Sequence, residues 1–304
     1  MNVVSLAKEY GFAECYVFPA DPFVHYKRRL MDGALHHAGI NLNGDVKAEH
    51  GWANALVALI LPYRPYAESI SVSGYYPSSN AGYHAANKLL ASLSGQGIRA
   101  ERTYVPVREL LIRGGIGVPL KNGLTAIPPY GTRFSVQTLI AGLPDVCYTP
   151  AREPEEPRCK GCHACERACP THAIGANGYT YEKCARAYMG GEPMADWVMD
   201  ALTSILGCEL CQSVCPYNRT IEPITDMPDA FRLEKLLSGE IKPALRIVGT
   251  NLKKNGRLQQ HACVVAAKQG RTDLVPLIEN LLDDPREAVR VAADYALRCL
   301  KADD

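Results

Sequence analysis

Four cysteines run from Cys159 through Cys162 and Cys165 to Cys169, followed by Pro170, and four more stand at Cys184, Cys208, Cys211 and Cys215, followed by Pro216. A chain with this ladder has to fold so that eight thiolates converge on metal. In a C-x2-C-x2-C-x3-C-P run three sulfurs serve one cubane and the fourth serves its neighbour, so two such runs exchange their last cysteines. The spacing therefore defines the ligand set of two 4Fe-4S clusters, and a chain that holds them is expected to move electrons. The second run departs from the ferredoxin pattern, because Cys184 stands 24 residues before Cys208.

Exchange of the fourth ligands assigns Cys159, Cys162, Cys165 and Cys215 to one cluster and Cys169, Cys184, Cys208 and Cys211 to the other. A zinc site would take four ligands in two CxxC pairs, and neither zinc nor disulfide pairing accounts for the x2, x2, x3, Pro spacing. Cys15, Cys147, Cys263 and Cys299 lie outside the motif. Cys263 and Cys299 fall on apolar helical faces and read as small core residues.

A chain of 304 residues with 47% apolar content can bury a full core and suits two or three domains. Lys and Arg total 33 against 32 Asp and Glu, so no overall field marks nucleic acid or a membrane as partner, and any such surface must be local. The opening MNVVSLAKEYGF has no basic segment, long apolar run or cleavage signal, and no stretch reaches about 18 uninterrupted apolar residues. The expectation is a cytoplasmic protein without membrane contact, which also suits thiolates kept free for iron.

The fold class expected is α+β in three parts. Residues 1–149 form an α/β domain: Val4 to Tyr10 reads as helix, Glu14 to Phe18 as a short strand, Ala55 to Leu61 as a strand covered on both faces, and Tyr83 to Leu93 as helix. Residues 150–220 form the ferredoxin-like cluster domain. Residues 221–304 are helical, with apolar periodicity over Leu258 to Lys268, Leu274 to Leu282 and Pro285 to Leu300, Pro285 suiting a first turn. Paired short helices of this length look like HEAT-type repeats. Lys253, Lys254 and Arg257 open a stretch without acids before Asp273, a candidate for phosphate contacts of RNA; a solvated helix face is the plainer alternative.

Between Arg113 and Gly131 the chain reads RGGIGVPLKNGLTAIPPYG. Such glycine density allows close backbone approach to a ligand, and a loop needing positive φ has the same look. It is not a dinucleotide fingerprint, since the G-x-G-x-x-G spacing is missing.

CKGCHACERACPTHAI, the lone Cys184 in EKCARAY, GCELCQSVCPYN, the KN-containing glycine loop and the helical tail together resemble the epoxyqueuosine reductase family. The stretch GLTAIPPYGTRF with the following LPD is more distantly similar to the corrinoid domain of reductive dehalogenases. The resemblance implies an oxidoreductase with two 4Fe-4S clusters and cobalamin, the latter bound in a nitroreductase-like N-terminal domain. It implies reduction of epoxyqueuosine to queuosine in tRNA, with the tRNA anticodon arm held by the basic helical C-terminus and a ferredoxin or flavodoxin as electron donor. Carried over by motif, Lys121, Asn122, Gly123, Gly131, Glu209 and Leu210 line the corrin.

The family carries a proton-donating aspartate at the start of a D-x-x-P-V-x-E-R segment, whereas this chain reads ERTYVPVREL. Alignment through Pro106 and Val107 places Thr103 there, and counting back from Gly115 places Glu101. Tyr104 is the third candidate, since dehalogenases use a tyrosine, with Arg102 or Arg108 to tune it. Further readings stay open: a close relative of the reductase acting on another substrate, a reductive dehalogenase-like enzyme, an electron-transfer or reactivation protein serving a corrinoid or flavoprotein partner, and a tRNA-binding scaffold with structural clusters.

Overall fold

The computed structural model describes residues 2–31, 42–67, 71–153 and 155–302. By its own packing the chain divides into two compact units, residues 1–63 with 78–162, and residues 64–77 with 163–304.

In the first unit the chain order is α1 (Val3–Glu9), β1 (Glu14–Pro19), α2 (Val24–Met31), α3 (Val46–Glu49), β2 (Ala55–Pro62), α4 (Tyr75–Gly95), β3 (Ala100–Arg102), α5 (Val107–Arg113), β4 (Val118–Pro119), β5 (Thr125–Ala126) and β6 (Phe134–Ala141). The first turn of α4 belongs with the second unit. Helix α1 starts where the Asn2 side chain accepts a hydrogen bond from the Ser5 N–H at 2.9 Å, satisfying one of the free donors of its first turn.

Strands β1, β2, β6 and β3 make one sheet in that order, with every neighbour antiparallel. The continuous apolar run of β2 is buried residue after residue because both faces of the sheet are covered. On one face Val57, Leu59 and Leu139 meet Leu6 of α1 and Leu89 and Leu93 of α4. On the other, Leu56, Ile60 and Ile140 meet Phe18, Phe23 and Leu110 and Leu111 of α5. Fully burying each such side chain contributes about 1.5–3 kcal/mol. A strand buried on both faces is usual in parallel sheets, and here an antiparallel one achieves it because helices pack on both sides.

The second unit contains α6 (Ala164–Ala168), β7 (Ile174–Gly175), β8 (Gly178–Tyr179), α7 (Ala185–Tyr188), α8 (Asp196–Ala201), α9 (Leu210–Ser213), α10 (Leu233–Leu237), α11 (Lys242–Val248), α12 (Arg257–Lys268), α13 (Val275–Glu279) and α14 (Glu287–Ala302). Segment 64–77 joins it as a strap. Tyr66 bridges Ile224, Val72 bridges Ile205, and Arg64 donates to the carbonyls of Glu222 and Pro223 at 2.8 and 2.7 Å.

No gap in packing marks residue 220. Val198, Met199 and Leu202 share one core with Phe231, Leu258, Ala262, Val264 and Val289. The expected helix over Leu274 to Leu282 is a short α13 flanked by 3-10 turns. Pro285 lies just outside α14, in a turn where the Asp284 carboxylate accepts from both the backbone and the guanidinium of Arg286. Cys263 is fully buried on α12, as its apolar face predicts.

Helix α12 buries three polar side chains, Gln259, Gln260 and His261, and each has a partner. Gln259 accepts from Arg286 at 2.7 Å, Gln260 donates to the Asn255 carbonyl at 2.7 Å, and His261 bonds to two backbone groups. Among the described residues no helix is long and apolar enough to cross a membrane.

Candidate cluster-binding site

All twelve cysteines are free, so no disulfide competes for the motif thiols. Cys159 and Cys162 close the first unit in a tight turn, with the Cys162 N–H donating to the Cys159 carbonyl at 3.1 Å and Gly161 at φ 73°. The other six motif cysteines belong to the second unit. There α6, between Cys162 and Cys169, packs on α9, between Cys208 and Cys215, so the two halves of the ladder face each other.

Cys165, Cys169, Cys184 and Cys208 all lie within electrostatic reach of Cys211. Burial pushes the Cys211 thiol up to about 12, and the charges of Cys208, Cys184, Cys165 and Cys169 push in the same direction. Burial also raises Cys208, with Cys184 and Cys169 adding to it, while the Leu210 N–H bonded to its sulfur acts the other way. The Ala173 N–H points at the Cys169 sulfur at 3.3 Å, and the Tyr179 hydroxyl bonds Cys184.

Glu209 sits between Cys208 and Cys211. Its carboxylate accepts from the Ser73 hydroxyl at 2.8 Å, and its carbonyl receives the N–H groups of Gln212 and Ser213, both at 2.9 Å. Leu210 opens α9 beside it.

The glycine loop lies in the first unit. Lys121, Asn122 and Gly123 form the turn between β4 and β5, closed by Leu120 N–H to Leu124 C=O at 2.9 Å, with Gly123 at φ 81°. Asn122 is 5% exposed; its Oδ1 accepts from the Leu124 N–H, yet its amide nitrogen is buried without a partner. A buried donor left unmade is costly. Gly131, at φ 55°, closes the next turn through its carbonyl, which accepts from Ile127 at 2.8 Å. Gly115 has a different reason: a Cβ there would stand 2.0 Å from the Arg152 carbonyl oxygen, so this glycine serves packing within the protein.

The three proton-donor candidates have different surroundings. Glu101 on β3 pairs with Arg99 at 3.0 Å. Thr103 is buried, its backbone exchanging hydrogen bonds with Thr138. Tyr104 is 66% exposed. Arg102 does not serve Tyr104: its guanidinium bonds Gln137, Asn87 and the Tyr83 carbonyl and lies 4.3 Å from the Tyr83 ring centroid.

Sequence reasoning did not single out Ser73, His261 or Tyr179. Ser73 carries no local signal, because its partner is 136 residues away. For His261 a signal is present, a polar QQH triplet inside an otherwise apolar helix.

The cysteine-bearing segment is that of a two-cluster iron–sulfur domain: residues 158–218 match the family described as 4Fe-4S double cluster binding domain. Beyond that segment, the chain is a homologue of the epoxyqueuosine reductases over nearly its full length. It is 26% identical to the epoxyqueuosine reductase of Listeria monocytogenes across 98% of this chain and 88% of that protein. Against the Staphylococcus aureus enzyme it is 26% identical across 97% and 87%. An epoxyqueuosine reductase crystallised with an epoxyqueuosine-modified tRNA stem loop superposes with a TM-score of 0.77 at 22% identity, covering 98% of this chain and 89% of that one. These relationships bear out the family resemblance and the mixed α/β fold.

Proposed function

We propose that this protein is an oxidoreductase that reduces epoxyqueuosine to queuosine in tRNA, using two 4Fe-4S clusters and a cobalamin. The observation that carries the reading is homology to epoxyqueuosine reductases along nearly the whole chain, including the eight-cysteine segment. Removing an epoxide oxygen to leave an alkene takes two electrons and two protons and releases water. Two cubanes supply electrons one at a time.

Cys159, Cys162, Cys165 and Cys215 hold one cluster, and Cys169, Cys184, Cys208 and Cys211 hold the other, as exchange of the fourth ligands requires. The orphaned Asn122 amide fits a corrinoid, whose rim of carboxamides offers acceptors, and Lys121, Gly123, Gly131, Glu209 and Leu210 complete the set that would hold it. A bound, reduced corrinoid supplies a low-potential centre able to attack carbon.

Of the three proton-donor candidates, Tyr104 is the one we assign. Glu101 is engaged by Arg99 at 3.0 Å, and Thr103 is buried with its backbone bonded to Thr138. The Tyr104 phenol is exposed and accessible to substrate, the geometry a proton donor needs.

The helical part from 221 to 304, in the manner of HEAT-type repeats, would hold the anticodon arm. Lys253 and Lys254 are exposed, and Lys254 pairs with Glu192 at 3.7 Å. The functional division is then 1–149 for the corrinoid, 150–220 for the clusters and 221–304 for tRNA, with a ferredoxin or flavodoxin supplying electrons.

The test is anaerobic reconstitution with iron, sulfide and cobalamin, then incubation with epoxyqueuosine-containing tRNA and a chemical reductant, with nucleosides read by mass spectrometry. Queuosine formed only with cobalamin is the expected result. About eight irons with no retained cobalamin and no conversion would overturn it in favour of an electron-transfer protein.

A further inference from the structure

Two ligand-bearing loops of the second unit end on one imidazole. The His261 Nδ1 accepts the Leu206 N–H at 3.1 Å, and Nε2 lies 3.0 Å from the Met189 carbonyl oxygen. A backbone N–H can only donate, so Nδ1 is bare and Nε2 carries the proton it gives to Met189. Both contacts are buried, and His261 itself is 1% exposed.

Leu206 stands at φ 61° and Gly207 at φ 98°, so the chain turns through the left-handed region immediately before Cys208. A leucine persists there only where its surroundings hold it. One side is held by the strap, through Ile205 N–H to Ser71 C=O at 2.6 Å and Ser73 N–H to Ile205 C=O at 3.2 Å. Gly207 takes this positive φ at no cost, and a Cβ there would sit tightly, 3.2 Å from both Ser73 Oγ and the Tyr76 ring. The other side is held by His261. Met189, the second partner, ends the short helix that begins directly after Cys184.

We propose that His261 is a positioning residue for the cluster bound by Cys169, Cys184, Cys208 and Cys211, setting the Cys184 and Cys208 loops through two buried backbone hydrogen bonds. It bonds both ligand-bearing loops from helix α12, outside the matched cluster segment, and so makes the helical part of the chain a support of the metal site. A histidine that merely filled core volume would be replaceable by phenylalanine without effect on the metal. The inference rests on the ligand division stated above.

The experiment compares wild type, Cys184→Ser, His261→Phe and His261→Gln as full chains reconstituted anaerobically, with iron content, circular dichroism and potentiometric EPR of both clusters. His261→Phe is expected to keep its helical content but hold about four irons instead of about eight, with one EPR signal lost. His261→Gln retains a donor and an acceptor at different reach, and is expected to keep both clusters with the midpoint of one shifted. About eight irons and two unchanged signals in a folded His261→Phe would overturn the proposal. Where His261→Phe does not fold, the glutamine variant decides: one shifted signal supports the role, and two unshifted signals overturn it. Cys184→Ser separates the two failures, because if it leaves the iron content intact the ligand division is at fault, whereas if it costs one cluster and the His261 variants cost nothing, the positioning role is.

Discussion

The buried hydroxyl of Ser73 donates to the carboxylate of Glu209 at 2.8 Å, tying a residue far upstream to the short span between two cluster cysteines. The bond fixes the side chain that the proposed function sets beside the corrin, and it does so from a strap that packs with the cluster unit. Ser73→Ala is expected to cost about 1 kcal/mol of stability, the usual net worth of such a bond. Cobalamin affinity should fall by about five-fold, a loss of about 1 kcal/mol. A cobalamin titration of the reconstituted protein checks it, and an unchanged Kd would remove Glu209 from the corrin site.

Tyr104→Phe removes one oxygen from an exposed side chain and so should leave iron content and melting temperature alone. Turnover of the modified tRNA is expected to fall by about 10²-fold or more, the ordinary size of a lost general acid. A variant as fast as wild type would return the role to Glu101 or Thr103, which the corresponding Gln and Val substitutions would then sort.

The Lys253, Lys254 and Arg257 group is best tested by triple substitution to alanine, with tRNA affinity measured across a salt series. Each phosphate that is no longer neutralised should flatten the log–log salt slope by about 0.7 to 0.9. Lys254 should contribute least, because it must first leave Glu192. Deleting the tail is the wrong tool here. Leu258, Ala262, Val264 and Val289 complete the core around Val198 and Met199, so truncation would unfold the cluster unit along with any RNA surface.

Acid should weaken the second unit through His261. Burial drives its pKa down from 6.5 to about 4, with Arg257 and Arg186 opposing the cation and the Met189 carbonyl favouring it. The unfolded chain therefore binds the extra proton first. Its contribution to stability is complete above pH 6.5, is lost as pH falls towards 4, and changes no further below that. The shift corresponds to roughly 3 kcal/mol as an upper figure. Denaturant midpoints between pH 7 and 5 should fall for wild type and fall less for His261→Gln. Equal slopes would show that the imidazole does not titrate on unfolding.

What could be read in advance was what the chain encodes locally. Ligand spacing from Cys159 to Cys215 follows from how a few residues of backbone wrap a cubane, and the apolar periods of α1, α4, α12 and α14 mark faces that neighbouring turns create. The all-apolar β2 likewise announced a strand covered on both sides.

Partners distant in sequence were decided only by the tertiary structure. Nothing in ALVALIL distinguishes an antiparallel from a parallel neighbour, because burial on two faces imposes the same composition on both. Gly115 reads as part of a ligand loop until the fold sets the Arg152 carbonyl against it. Ser73 and His261 are one serine and one histidine among others until the fold sets them against Glu209 in one case and Leu206 and Met189 in the other. A cysteine ladder can be recognised from spacing, since the metal dictates it. The side chains that hold the ladder in place are chosen by whichever distant segment packs there, and that is a property of the folded chain alone.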